Sequence, residues 1–248
     1  MFASNMLISC GMERFAAKIF GKAFSRVFHL PSEFCCAYII SLLCGYAQGA
    51  NAVNRIYLQG TYKKEDAQKA LELCSGPSPS FLIIGIGSIV GNYIIGFKIY
   101  LISVISVALW SIITRPKQVE ETPSFNSEVI RSDIITESLK SSIMSTLYIC
   151  GYVILFSVIC SHIIKICVGL RLPHMIQTIF ISIVEITNFT SLIIPTTPLY
   201  LITFASVWSG VCVHIQIKSL TGDIFNFKKF GCAKSIQSII ALLLGIFL

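Results

Sequence analysis

Three residues in the second half of the chain carry the sharpest chemical signal. Glu185, Thr187 and Asn188 stand together inside MIQTIFISIVEITNFTSLIIP (175–195), and Glu185 is the only acid between Glu137 and Asp223. A carboxylate inside an apolar spanning segment costs roughly 3 kcal/mol or more, so such residues face a pathway or a partner. Glu185 therefore reads as a substrate contact or proton carrier, or else as a protonated carboxyl that locks two helices. Asn188 falls three residues on, on the same face if the helix continues. Residues 44–51, CGYAQGAN, interrupt the apolar run FCCAYIISLL with flexible Gly45 and Gly49 and the amides of Gln48 and Asn51. Gln48, Asn51 and Arg55 lie at i, i+3 and i+7, which makes either a polar stripe or a surface face at the membrane edge. SGPSPS (75–80) contributes Ser75 and Pro77, and SGVCVHIQ (209–216) contributes His214 and Gln216. His214, four residues from Gly210, reads either as a packing histidine or as cavity lining.

No nucleophile–base pair, zinc spacing or phosphate loop accompanies these residues. Gly85-Ile86-Gly87-Ser88-Ile89-Val90-Gly91 imitates a glycine-rich loop without the preceding strand or the βαβ setting, and its glycines read as points of close helix approach. The ten cysteines contain no C-x-x-C pair and lie mostly in apolar segments, where they read as small packing groups. No enzyme activity, cofactor or metal is expected.

The elements that must position these residues are membrane helices. Of 248 residues, 54% are hydrophobic and 12% charged, against roughly 25% charged in soluble domains. Several apolar runs approach the ~20 residues needed to cross a bilayer. The expected fold is all-α, a polytopic helical membrane protein with two pseudo-repeated halves that contain broken or re-entrant helices. Residues 1–30 hold a basic amphipathic helix: Arg14, Lys18, Lys22 and Arg26 form one ridge beside Phe15, Ile19, Phe20 and Phe24. That pattern suits a helix lying in the interface plane or one packed on the rest of the protein. The first half spans 31–114, a polar linker 115–141, and the second half 142–248. In the second half, 143–170 reads as a tilted span and 199–217 as a further one. A basic connection with Lys218, Lys228, Lys229 and Lys234 then leads to a last helix at 235–248. The net charge of +7 is spread between apolar runs, which fits lipid headgroups and excludes a nucleic-acid face. No basic residue precedes the apolar start MFASNMLISC, so no secretory signal is expected.

Broken helices in hydrocarbon are tolerated only where protein buries the break or a watery cavity lines it. Half-helix N-termini offer free N–H groups that suit an anionic group. The breaks at 44–51, 75–80, 185–190 and 208–216 therefore read as one candidate site shared by the two halves.

The same segments resemble the YlbJ-type sporulation integral membrane proteins. LCGYAQGANAVNRIYLQGTYKKEDAQKALELCSGPSPSFLIIGIGSIVG is similar to that family's G-Y-P-x-G-A motif, its K/E-rich helix and its N/S-x-P-x-F-I-I-G segment. EITNF and SGVCVHIQ fall where the family has E-I-T-N-G and G-G-x-S-V-H-A-Q. The resemblance covers roughly residues 26–113 and 138–248, with Ala47 in place of the family's proline. It implies a nucleoside-recognition gate domain and transport of dipicolinate, a small anionic aromatic solute, across the cell membrane or the mother-cell-derived outer forespore membrane. Carried over residue by residue, it implies a substrate site of Gly45, Gln48, Gly49, Asn51, Ser75, Pro77, Glu185, Thr187, Asn188, His214 and Gln216. The expected partners are the lipid bilayer and that solute, with a coupling proton or cation and a homo-oligomer also admitted. The family's members are longer, with further N-terminal spans, so the alternative is a non-transporting assembly or scaffold protein needed for spore cortex formation.

Overall fold

The computed structural model describes residues 2–59, 62–115 and 134–248, and every regular element among them is helical. Two helices open the chain, α1 (Phe2–Ser9) and α2 (Met12–Phe28). Four follow in close succession: α3 (Phe34–Cys44), α4 (Tyr46–Gln59), α5 (Lys64–Leu73), and a π-helical turn at Ser80–Ile86 that runs into α6 (Gly87–Val90). α7 (Tyr93–Ile113) ends the first half. The second comprises α8 (Ile134–Gly169), α9 (His174–Val184), α10 (Ile186–Thr190), α11 (Leu199–Trp208), α12 (Gly210–Thr221) and α13 (Phe227–Gly245).

Three helical stretches are long and apolar enough to cross a membrane: Tyr93–Ile113, Ile135–Gly169 and Leu199–Ile224. They differ in what covers them. The apolar window of α8 is 11% buried, whereas that of 199–224 is 72% buried. α8 thus shows Leu147, Ile154, Leu155 and Val158 to its surroundings, an apolar surface on a scale that marks lipid or partner contact. The core lies where α3, α4, α5, α11 and α13 meet, around Phe34, Ile56, Leu71, Leu73 and Phe230.

Two tight helix pairs build the first half. At Gly45 the backbone takes φ 88 and ψ −174, a region open essentially to glycine alone. α4 consequently doubles back along α3. A Cβ on Gly49 would lie 2.6 Å from Ser41 Cβ and 2.1 Å from the Cys74 carbonyl oxygen. A continuous helix would carry residues eight apart about 12 Å from each other. In the second pair, 80–90 folds onto α7, with Gly96 against Leu82 and Ile83 and Gly87 against Tyr93. Gly85, expected to share that role, meets only Phe81.

Two sequence expectations need correction. The stretch 134–141, read as linker, forms the first turns of α8; the remainder of that linker, 116–133, lies outside the described residues. The basic connection before the last helix is itself helical, because α13 begins at Phe227 behind the cap Asn226, whose side chain accepts from Lys229 N. Lys228, Lys229 and Lys234 are therefore helix residues. The break expected at 185–190 is present, since α9 ends at Val184 and α10 begins at Ile186.

Of the two alternatives left open for α2, packing on the rest of the protein is seen along one face, and the other face is exposed. Glu13, Ala16, Gly21, Phe24 and Phe28 are buried against the protein. Phe15, Ile19 and Phe20 are exposed beside the equally exposed Lys18, Lys22 and Arg26, the pattern of a helix lying at a membrane surface.

Candidate functional site

The second-half break is closed by its own carboxylate. Glu185 is 1% exposed and extended in backbone (φ −155, ψ 126), and its side chain folds over the start of α10. Its Oε1 accepts from Thr187 N at 2.9 Å. Its Oε2 accepts from Thr187 Oγ1 and Asn188 N, both at 2.6 Å, and from Asn188 Nδ2 at 2.7 Å. An acidic side chain on the first N–H groups of a helix is a charge-assisted cap. Asn188 meets Glu185 as this cap's third helical residue, not as the neighbour on a continuous face that a helix through 185 would give. Ser157 on α8 donates to Asn188 Oδ1 at 3.3 Å and ties the cap to the longest helix.

The next break lies directly against this one. Ser209 and Gly210 both have positive φ, 65 and 82, and a Cβ on Gly210 would stand 2.9 Å from the Val184 carbonyl oxygen and 3.0 Å from Glu185 N. Trp208 Nε1 donates to the Ile183 carbonyl at 3.0 Å. His214 Nε2 lies 3.2 Å from the Trp208 carbonyl, which the break leaves without its helical partner. Its ring stands edge-on to Trp208 and Phe230, with centroids 4.6 and 5.2 Å away. His214 is thus a satisfied packing residue. Gln216 is buried and donates to Cys212 Sγ at 3.2 Å within its own helix.

The first-half break is built differently. Gly45 rests on Ser78, where an added Cβ would find the Ser78 N and Cβ at 3.0 Å. Two of its amides turn away from the break towards α1: Gln48 Oε1 accepts from Ser4 Oγ at 2.7 Å, and Asn51 Nδ2 donates to Asn5 Oδ1 at 2.5 Å. Asn5, fully buried, donates onward to Ser142 Oγ of α8 at 2.8 Å. Arg55 lies within electrostatic reach of Glu137 on α8. Among the described residues no side chain accepts from the first N–H groups of α4, those of Tyr46, Ala47 and Gln48. That helix start is open, whereas the start of α10 is filled. Pro77 lines a small cavity with Tyr38, Ser41, Gly76 and Ser103, of about 10 Å³, at the threshold for one water.

The two breaks approach one another through α12, which packs on both α4 and α9. Tyr46, the first residue of α4, lies within electrostatic reach of Glu185 and Cys212. A second link runs through Ser75, whose carbonyl oxygen accepts from Lys234 Nζ on α13 at 2.5 Å. Lys234 is 1% exposed, the one lysine or arginine buried among the described residues. Sequence reasoning missed it, and with it Asn5. For Lys234 the available signal was Asn226, a favourable cap eight residues upstream that places the lysine well inside a helix. For Asn5 it was an amide within an apolar start.

No family model, curated protein or solved structure matches the chain.

Proposed function

We propose that the protein is a membrane carrier for a small anion, with the anion held at the open start of α4 beside the second-half break. The observation that carries this reading is the contrast between the two breaks. The α10 start is neutralised by Glu185, while at the half-buried α4 start no side-chain acceptor is seen among the described residues, and free N–H groups favour an anion. Glu185 would repel a free dianion, but its oxygens are saturated by four donors.

Two parallels support a pseudo-repeat of re-entrant type. α3 and α9 are both 11-residue apolar helices ended by a single non-helical residue, Gly45 or Glu185. Each of those residues abuts a later interruption, Ser78 or Gly210. The resemblance to the YlbJ-type sporulation proteins supports dipicolinate as the solute and the outer forespore membrane as the place, with a proton or cation as the coupling ion. A second reading, a non-transporting assembly protein of the same membranes, is favoured by the way α1 holds Gln48 and Asn51.

Reconstituted vesicles loaded with terbium decide between them, because entering dipicolinate lights the lanthanide. Wild type should exceed protein-free vesicles. Ala47→Asp should abolish the flux without loss of stability, since its carboxylate would occupy the open N–H groups and favour the helix start. Glu185→Gln combined with Asn188→Ala should also abolish it. Wild-type flux no greater than in protein-free vesicles, or undiminished flux in Ala47→Asp, contradicts the carrier reading, and the first result favours the assembly role.

A further inference from the structure

α2 has three faces rather than two. One packs on the protein through Ala16, Gly21, Phe24 and Phe28. On the second, Arg14, Lys18, Lys22 and Arg26 follow at intervals of four and are all exposed. On the third, Phe15, Ile19, Phe20 and Val27 are 41–62% exposed. Glu13 is buried, so every charged side chain that α2 exposes is basic. Water gives no reason to set four large apolar side chains beside a row of cations. A lipid interface takes both, the apolar row among the acyl chains and the cations at headgroup level.

The fold places α2 at an end of the molecule that is itself basic. A Cβ on Gly21 would lie 2.7 Å from the Cβ of Ser32, just before α3. The first residue of α3, Phe34, stacks on Tyr62 just before α5, with ring centroids 5.1 Å apart. α5 in turn meets the end of α7, where Lys69 Nζ donates to Thr114 Oγ1 at 3.1 Å. It also meets the start of α13, where Asn226 N donates to Gln68 Oε1 at 2.8 Å. Lys63, Lys64, Arg115, Lys228 and Lys229 are exposed around this junction. α7 has 21 residues, so its start lies about 30 Å away. α13 likewise ends far from the junction, with Gly245 against the start of α11. Near the far ends of α7 and α8, the lysines and arginines among the described residues are Lys98, Lys165 and Arg171.

We propose that the end built from α2, α5 and the start of α13 docks on a leaflet of anionic phospholipid, with α2 lying in the interface, and that this is the cytoplasmic leaflet. Anionic lipid concentrates in that leaflet and attracts cations beside the membrane. Short cytoplasmic connections also collect Lys and Arg, so insertion and docking favour the same orientation. The acids exposed at this end do not reverse it. Glu65 faces Lys229 at 4.0 Å, Glu137 lies within electrostatic reach of Arg55, and Asp223 remains, but orientation follows Lys and Arg rather than net charge. α7 then runs towards the cytoplasm and α8 away from it. None of this requires that the protein transport anything.

Amide hydrogen exchange of the full protein tests the docking, in nanodiscs of phosphatidylcholine alone and of phosphatidylcholine mixed with phosphatidylglycerol. Residues 12–28 should exchange at least about tenfold more slowly with phosphatidylglycerol present, and high ionic strength should remove the difference. The exposed-site triple variant Lys18→Gln, Lys22→Gln, Arg26→Gln should also lose it. Equal exchange in the two lipids, the result expected if another protein or a second copy covers α2, overturns the proposal. So does slowing that survives in the triple variant. The orientation is read on the unmodified chain, with a membrane-impermeant amine reagent and mass spectrometry of cell-derived vesicles. Lys64 and Lys228 should be modified in inverted vesicles and shielded in right-side-out ones, whereas the reverse pattern overturns the assignment. Because neither readout involves a solute, absence of dipicolinate flux would leave both results standing.

Discussion

Glu185 is held by four donors that all come from the two residues it caps, Thr187 and Asn188, so its removal is felt locally before it is felt anywhere else. Glu185→Gln keeps the shape but turns an N–H₂ group towards other donors, and should cost about 2 kcal/mol, read as a lowered denaturation midpoint; an unchanged midpoint would show that the cap is not formed. Glu13 gives a pH-dependent counterpart on α2. Burial chiefly raises its pKa above the ordinary 4.5, Glu33 adds to the rise, and its own N–H and Arg14 oppose it. With the folded-state value raised, the protonated form is the one the fold favours. Stability is then fullest below about pH 4.5 and falls as pH rises through the higher folded-state value. Glu13→Gln should flatten that slope across mildly acidic pH, as followed by melting temperature; an identical slope in both proteins would contradict it. At this scale the sequence was informative about which residues are unusual and uninformative about their partners. Glu185 and Asn188 are visible as polar groups in an apolar run, but only the stop at residue 185 makes one the cap of the other. His214 could be either a packing or a cavity residue until the Trp208 carbonyl supplied its partner.

The elements depend on a few close approaches that composition does not reveal. The α3–α4 hairpin needs a backbone at Gly45 that other residues avoid, and a bare Cα at Gly49 because the Cys74 carbonyl would sit 2.1 Å from any Cβ. Gly49→Val should therefore cost several kcal/mol, as overpacking and lost pairing combine, whereas Gly231→Ala on α13, where a Cβ meets nothing within 4 Å, should be neutral or stabilising. Equal stability of the two variants, measured by chemical denaturation, would rule out the hairpin. Apolar runs located α3, α7, α8 and α11 well. Their limits were harder, because the signals that set them act over single residues. Asn226 starts α13 well before the apolar run does, and α8 extends back through Ile134–Ser141, whose Ser138 is buried. Polar composition concealed that continuation, since helix hydrogen bonding does not require an apolar sequence.

Across the whole molecule, the distribution of apolar surface separates lipid-facing from protein-facing helices. Ile154, 66% exposed at the middle of α8, would tolerate lysine within about 0.5 kcal/mol on a water-facing surface, but in hydrocarbon the same change costs roughly 3 kcal/mol. Ile154→Lys should therefore sharply reduce membrane-inserted protein, whereas Lys228→Ala should not; normal insertion of Ile154→Lys would place α8 in water. The all-helical character, and helices long and apolar enough to cross a membrane, were legible from the length and apolarity of the runs. The meeting of the two halves was legible only as an expectation, because it is made by single atoms, the Asn54 amide on the Leu220 carbonyl and the Lys234 ammonium on Ser75, that leave no periodic trace in the sequence. That meeting is the central claim, and cysteine cross-linking tests it most directly. In a variant retaining Cys212 as its sole native cysteine, Tyr46→Cys should join Cys212 through a short thiol-reactive linker in intact vesicles. Failure of that pair to cross-link, while a control pair at Ser41 and Ser78 around Gly45 does, would contradict it.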